Sequence, residues 1–479
     1  MNKKMIVFMS VLLWMSVFSF SAATNAAEGV DKESVDRYVE DYIDKNGLPG
    51  AAIVIVKEGK VVYESGYGID SDGQPITENT LLRLASASKP FTAFAILQLA
   101  DEGKVGLDDP VKMHLGELAL DDPRVEDITI RHLLSQTSGI PNPTIIPPAD
   151  TLPEQIKNLH TWKLQSDPGD RYFYSNANYW ILARVIETSS GKEFSAYLEQ
   201  EVFAPLGMDE SFNTTKSTDT AEGLAQGHIT AYGTAIPWPP LEQMISGSGG
   251  IVTTAADMGK WLAMHTAGGQ NASGQQLLSK SLLEESYSPQ AGSKKHGLGW
   301  SLSAPDIQPA RISHSGVLTN YQTQQDIVPS SGYAVAVLLN SFTPTFEHAY
   351  EISSGILQLT EGQEAEVGAA VPTIIDLTLG MITLVYLALG IRGIMRSKKW
   401  ATKRKHQAAW KYYLRLTPQL IAVIGIGWLF FIVPSLQDNS ATIKDAFGLW
   451  LAAMIFLTVI FLVACVVTAR RIYYRVVLK

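Results

Sequence analysis

Ser86 and Lys89 stand three residues apart in Leu84-Ala85-Ser86-Ala87-Ser88-Lys89-Pro90. On a helix that spacing is about one turn, so the two side chains share a face and can meet. A serine hydroxyl is a weak nucleophile until a neighbouring base takes its proton. A lysine can be that base when burial or another cation lowers its pKa. By itself the pair says little, since about one such spacing is expected by chance in a chain this long. Ser86 alone could be a helix N-cap and Lys89 a solvated first-turn residue. Two later segments add chemistry: Tyr174-Ser175-Asn176 and His314-Ser315-Gly316. A tyrosine hydroxyl near cations should ionise more easily than in water and could share the proton transfer. Taken alone, Tyr174 could be a packed loop aromatic and His314 a satisfied strand-end histidine. Together these groups make a serine acyl-transfer site that needs no metal and no cofactor.

The elements that must position them can be read from the same sequence. After Ser86, the residues Phe91, Phe94, Ile96, Leu97 and Leu99 suggest an amphipathic helix that Gly103 ends. Tyr174 and Asn176 fall in a loop feeding a helix that carries Trp180, Leu182 and Val185. His314 precedes the apolar run from Tyr333 to Leu339, which reads as a buried strand. A helix is expected over about Asp31 to Lys45, a hairpin over Ala51 to Tyr67 with Glu58-Gly59 at its turn, and a closing helix from His348 to Leu359. The stretch from about Arg131 to Leu262 reads as mostly helical. Strands at both ends with helices between predict an α/β fold of two lobes, an antiparallel sheet lobe with a helical lobe inserted.

At this point the chain resembles the serine beta-lactamase and penicillin-binding superfamily, most of all the class C beta-lactamase-like branch with its D-aminopeptidases, DD-peptidases and esterases. The resemblance spans residues 33 to 358. Besides the three motifs it includes Gly47-Leu48-Pro49-Gly50, Arg131 to Gly139, Pro205-Leu206-Gly207-Met208 and Gly249 to Asp257. It implies Ser86 as the acylated nucleophile, with Lys89 and Tyr174 moving protons. It also implies an oxyanion hole from the backbone N–H groups of Ser86 and Val317, beside Gly316, and a substrate amide held by Asn176. His314 stands where many relatives have lysine. A permanent charge at that position attracts a substrate carboxylate, and a histidine supplies one only when protonated. Asn320, four residues past Gly316, could read a polar substrate side chain or serve as a turn residue.

Composition sets the compartment. The net charge of −9 gives no support to nucleic-acid binding, and the single cysteine, Cys465, excludes an intramolecular disulfide. Asn2-Lys3-Lys4, an apolar stretch to Phe20 and small residues to Ala27 form the pattern of a signal peptide over residues 1–27. The expected catalytic domain covers 28–360, with a linker over 361–370. Three apolar stretches follow, at about 371–391, 416–436 and 447–467, each long enough to be a transmembrane helix. The first connection carries Arg392, Arg396, Lys398, Lys399, Lys403, Arg404 and Lys405 without an acid, which predicts a cytoplasmic loop and a cytoplasmic C-terminus.

These readings lead to an extracytoplasmic serine hydrolase anchored in the cell membrane. Its expected substrates are small peptides or acyl-peptides containing D-amino acids. The arrangement resembles the prodrug-activating peptidases that remove an acyl-D-Asn cap in nonribosomal peptide pathways, which would make an exporter a partner alongside membrane lipids. An esterase, a weak beta-lactamase or a cell-wall DD-peptidase is the alternative enzyme. A penicillin-acylated membrane sensor is the alternative outside catalysis.

Overall fold

A computed structural model describes residues 30–143, 149–304, 307–432 and 443–477. The expected signal peptide lies outside them. Helix α1 (Lys32–Asn46) ends at Gly47, whose positive φ of 63° is the left-handed C-cap that glycine adopts without strain. Strands β1 (Gly50–Lys57) and β2 (Lys60–Gly68) form the expected hairpin, turning at Glu58 and Gly59. The remaining strands of the main sheet come from the far end of the domain. They are β3 (Ser301–Leu302), β4 (Ile312–Leu318), β5 (Tyr321–Val328) and β6 (Tyr333–Leu339), in the antiparallel order β2-β1-β6-β5-β4-β3. β1 therefore pairs with β6 across almost the whole domain, Ala51 opposite Leu339.

Both faces of this sheet are covered, which is why β1 and β6 read as continuous apolar runs. Side chains alternate along a strand. Ile53, Ile55, Val335 and Val337 pack with Val39, Ile352 and Ile356 from α1 and the closing helix α5 (His348–Thr360). Ala52, Val54, Ala336 and Leu338 face the larger core, which holds helix α2 (Lys89–Asp101), helix α3 (Asn176–Ser190) and helix α4 (Ala255–Thr266). Phe91 stacks on Trp261 at 3.8 Å between ring centres, tying α2 to α4.

Two expectations change here. Helix α2 is not amphipathic: every residue from Lys89 to Leu97 is buried, with α3 and the segment Leu198–Phe203 packed along it and Trp261 of α4 stacked on Phe91. The middle of the chain also contributes strands. Leu82–Arg83, Phe212–Asn213 and Ile251–Thr253 form one small sheet, and His228–Ala231, Thr234–Pro237 and Ser341–Phe342 form another.

The C-terminal region departs from three equal spans. Among the described residues two helices are long and apolar enough to cross a membrane, α6 (Val371–Met395) and α7 (Leu451–Val477). The expected middle span appears as a shorter apolar helix, Thr417–Ile432, whose last stretch from Trp428 widens to π geometry. The rest of that predicted span falls outside the described residues. On α6, Ile374, Leu377, Met381, Leu384 and Leu389 are all exposed, so this helix is not the core of a globular domain.

Candidate active site

Ser86 sits in a single 3-10 turn, Ala85–Ser88, that runs directly into α2. Pro90 is tolerated there because the first turn of a helix has no N–H to satisfy. Ala85 takes φ of 50°, a left-handed conformation costly for a residue with a Cβ. The surroundings hold it. Leu84 N–H donates to the Ile251 carbonyl at 2.9 Å and Ile251 N–H to the Ser88 hydroxyl at 3.1 Å. From β5, Thr323 Oγ1 donates to the Arg83 carbonyl at 3.1 Å and Gln325 Nε2 to the Ala87 carbonyl at 2.8 Å. Trp261 Nε1 donates to the other end of Gln325 at 3.0 Å, so that side chain is fixed at both ends.

Around Ser86 the candidate groups converge. Lys89 Nζ lies 3.1 Å from Ser86 Oγ, and Tyr174 OH lies 3.0 Å from the same oxygen. Lys89 also donates to Asn176 Oδ1 at 2.8 Å and to the Ser248 carbonyl at 2.7 Å. Asn176 is placed by its own N–H, which donates to Asn142 Oδ1 at 3.1 Å. Gln136 Oε1 receives Ser175 N–H at 2.9 Å and so fixes the loop between Tyr174 and Asn176.

Burial decides the protonation states. Lys89 is wholly enclosed, and desolvation holds its pKa well below the usual lysine value. The acceptors and the ring faces of Tyr174 and Tyr179, at 4.9 and 5.6 Å, favour the ammonium form. Each of these partners is neutral, so nothing offsets the loss of hydration as a carboxylate would. Tyr174 moves the other way: burial raises it, and its bond to Ser86 only partly opposes that rise. The expectation of an easily ionised tyrosine is therefore corrected. Tyr174 enters as a neutral hydroxyl, and Lys89 is the group that can lose its proton.

Strand β4 lines the other side. Gly316 lies so close to the Ser86 turn that a Cβ there would stand 2.0 Å from the Leu84 carbonyl oxygen. Leu318 and Tyr321 close a two-residue hairpin. The alternation of an antiparallel ladder then turns the Val317 N–H away from β5, the orientation an oxyanion donor requires. His314 is buried, with Nδ1–H donating to the Ser315 carbonyl at 2.7 Å. Burial first, then Lys89 and His296, pushes its pKa down to about 3, so it is neutral at ordinary pH.

Asn320 does not join this cluster. Its Nδ2 donates to the Trp238 carbonyl at 2.9 Å, and its buried Oδ1 has no hydrogen-bond partner among the described residues. It lines a separate cavity of about 290 Å3 shared with Arg83 and Gln226, whose walls do not include Ser86, Lys89 or Tyr174. Arg83 is held there by Thr214 Oγ1 at 3.0 Å and by the Asp219 carbonyl.

A family profile, Beta-lactamase, matches residues 35–358. The chain belongs to the beta-lactamase family. Protein flp of Staphylococcus aureus is 27% identical over 324 residues, covering 64% of this chain and 63% of that one. The match thus spans less than two-thirds of that relative. The octameric penicillin-binding protein homologue of Pyrococcus abyssi superposes with a TM-score of 0.60 at 26% identity, over 70% of this chain and 78% of its own. D-alanine carboxypeptidase AmpC of Burkholderia cenocepacia superposes with a TM-score of 0.55 at 23% identity, over 68% and 97%, and so shares the fold. The chain is thus beta-lactamase-like in family and in fold.

Several supports of the site escaped the motif search. Ser248 acts through its carbonyl, which no side-chain pattern reveals. Gln325 had a signal: Gln322-Thr323-Gln324-Gln325-Asp326 is a polar run in a strand whose every residue is buried. Polar groups survive such burial only when they are bonded.

Proposed function

We propose that this protein is a membrane-anchored, extracytoplasmic peptidase or amidase that works through an acyl-enzyme on peptides containing D-amino acids. The observation that carries the reading is the convergence of Lys89 and Tyr174 on one hydroxyl, within 3.1 Å, beside a neutral His314. In the proposed cycle the Lys89 amine takes the proton as Ser86 Oγ attacks the substrate carbonyl. The carbonyl oxygen becomes an oxyanion facing the N–H groups of Ser86 and Val317. Tyr174 relays a proton to the leaving nitrogen, and the C–N bond breaks. Water then attacks the ester and the same groups run in reverse. Asn176 orients the acyl amide. With no lysine charge at position 314, turnover of amides and esters should exceed that of penicillins. An activated ester is the second substrate class this geometry favours.

The finer reading is removal of an acyl-D-Asn cap whose side-chain amide would have to extend from the acyl site into the separate cavity where Asn320 lies. What supports it is the free Oδ1 of Asn320. Matched acyl-D-Asn and acyl-D-Ala peptides, with a penicillin as control, test both levels. Asn320→Leu should lower kcat/KM for the D-Asn peptide by about 1–3 kcal/mol of transition-state stabilisation relative to the D-Ala peptide. Equal loss on both removes Asn320 from recognition, and efficient penicillin hydrolysis removes the peptidase reading.

The anchored topology is supported by α6 and α7 and by the basic connection after α6. In a Cys465→Ala background, Gly362→Cys should react with an impermeant maleimide added outside intact cells, and Lys403→Cys should not. External labelling at position 403 would rule out this orientation.

A further inference from the structure

The apolar helix α6 carries one acid, Asp376, and it is 7% exposed. Asp376, Thr383 and Gly390 are the buried residues of this helix, seven apart and so on one side of it. Gly390 lies against α7, where a Cβ would stand 2.5 Å from Val463. A carboxylate taken from water is costly unless donors replace the lost hydration. Two do so here. Asp376 Oδ2 accepts Tyr232 N–H at 3.1 Å, and Oδ1 accepts Trp450 Nε1–H at 2.9 Å. Trp450 leads into α7, and Tyr232 belongs to the hydrolase domain. One side chain therefore ties α6 and the start of α7 to the domain that holds Ser86.

Tyr232 and Gly233 form the two-residue turn of the hairpin His228–Ala231 and Thr234–Pro237, with φ of 55° and 77°. Such a turn needs both residues left-handed, and tyrosine is a costly choice for it. Contact with α6 accompanies that choice. A Cβ on Gly380 would stand 2.9 Å from the Tyr232 ring, and one on Gly233 would stand 2.9 Å from Thr373. The other end of the hairpin makes a second contact. Trp238 lies so close to Gly448, just before α7, that a Cβ there would strike its indole. From this hairpin the bonds lead to the acyl site. His228 N–H donates to the Asn320 carbonyl at 3.2 Å, Asn320 Nδ2 to the Trp238 carbonyl at 2.9 Å, and Leu241 N–H to Thr319 Oγ1 at 3.0 Å. Thr319 and Asn320 are the turn between β4 and β5, which starts two residues beyond Val317.

We infer that Asp376 is a positioning residue. It latches the C-terminal helices to the 228–238 hairpin, and through that hairpin they brace the β4–β5 turn that sets the Val317 N–H. The helices then do more than hold the enzyme in place: they complete the support of the acyl-site wall. A carboxylate suits the task better than an apolar contact, because its charge-assisted bonds fix direction as well as distance. This rests on the reading of Ser86 as the nucleophile and of the Val317 N–H as an oxyanion donor. A chain of contacts is a coupling only when a change at one end is felt at the other, and variants at Asp376 measure that.

The test uses the full-length protein in detergent and the rate at which a fluorophosphonate labels Ser86. Asp376→Leu removes both acceptors while keeping α6 apolar. It should slow labelling by about five- to tenfold, the lower range of coupling between separate sites. On an activated ester kcat should fall by the same factor while KM stays within about twofold, because a displaced oxyanion donor weakens the transition state more than the ground state. Asp376→Asn keeps one acceptor and should lie between Asp376→Leu and the wild type. Amide exchange over residues 228–241 should quicken in Asp376→Leu and stay unchanged in α2. Thr383→Val is the control. It lies on the same buried side of α6, its hydroxyl bonds to the Leu379 carbonyl of its own helix, and the variant should label as the wild type does. If Asp376→Leu does not fold, Trp450→Phe, which keeps a ring and loses one donor, should slow labelling about threefold. Labelling at the wild-type rate in a folded Asp376→Leu, or equal slowing in Thr383→Val, would overturn the latch. A wild type that is never labelled would overturn the latch together with the nucleophile. A wild type that is labelled but cleaves no D-amino-acid peptide would remove that substrate class and leave the latch standing.

Discussion

Ser86→Ala should abolish covalent labelling by a fluorophosphonate and lower hydrolysis of an activated ester by roughly 10^4-fold or more, the scale seen when a nucleophile is removed from a coupled set. Lys89 and Tyr174 both spend a hydrogen bond on this one oxygen, at 3.1 and 3.0 Å. Without it neither has a proton to move, so Lys89→Ala added to Ser86→Ala should cost little more. The fold should survive, because Ser86 is half-buried at the cleft and, among the described residues, its hydroxyl bonds only to these two groups. Ser88, in the same turn, is the control. Its buried hydroxyl accepts the Ile251 N–H, so Ser88→Ala should cost about 1–3 kcal/mol of stability while leaving labelling intact. Undiminished labelling of Ser86→Ala, or its loss only in Ser88→Ala, would put the nucleophile elsewhere.

How much of this was legible in the sequence depends on where the information resides. The Ser86–Lys89 spacing places two side chains on one turn, so their meeting could be read directly. The strand Tyr333–Leu339 was legible to the residue, since burial on both faces leaves no polar position to blur its ends. The character of α2 was not, because Ala93, Ala95 and Thr92 look like a weak polar face. All three are buried: Ala93 faces Gly299, where a Cβ would stand 2.5 Å from it, and Thr92 satisfies its hydroxyl on the Gly247 carbonyl at 2.7 Å. The direction of the Tyr174 shift was misjudged for a related reason. Sequence gives the cations nearby but not the dehydration of the pocket, and dehydration dominates. Asn320 was placed by counting residues from Gly316. The hairpin turn intervenes and carries its side chain to Trp238 instead. In the C-terminal region, composition predicted three equal spans. Hydropathy does not register that the middle helix loses regular α geometry at Trp428.

Gly316→Ala should produce the second large effect, a fall in kcat/KM of about 100-fold, the scale expected when reacting groups are displaced by about 1 Å. A Cβ at this position would lie 2.0 Å from the Leu84 carbonyl oxygen and 2.9 Å from the Ala87 nitrogen. Both are backbone atoms of the turn that carries Ser86, so no side chain can swing aside to make room. Either β4 or the turn must move. The turn is held by Thr323 and Gln325 of the next strand and by Ile251 behind it. β4 pairs on one side with β5 and on the other, among the described residues, only with the two-residue strand β3. The strand is therefore the part that yields, and it carries away the Val317 N–H that would face the developing oxyanion. A displacement of that donor weakens stabilisation of the transition state more than binding of the ground state, so kcat should fall further than KM rises. Gly368→Ala, where a Cβ meets nothing within 4 Å, is the matched control and should be neutral. Steady-state kinetics on an ester, read beside the melting temperature of both variants, separate a displaced oxyanion donor from general unfolding. An active Gly316→Ala enzyme with unchanged kcat would show that β4 is not the wall of the acyl site.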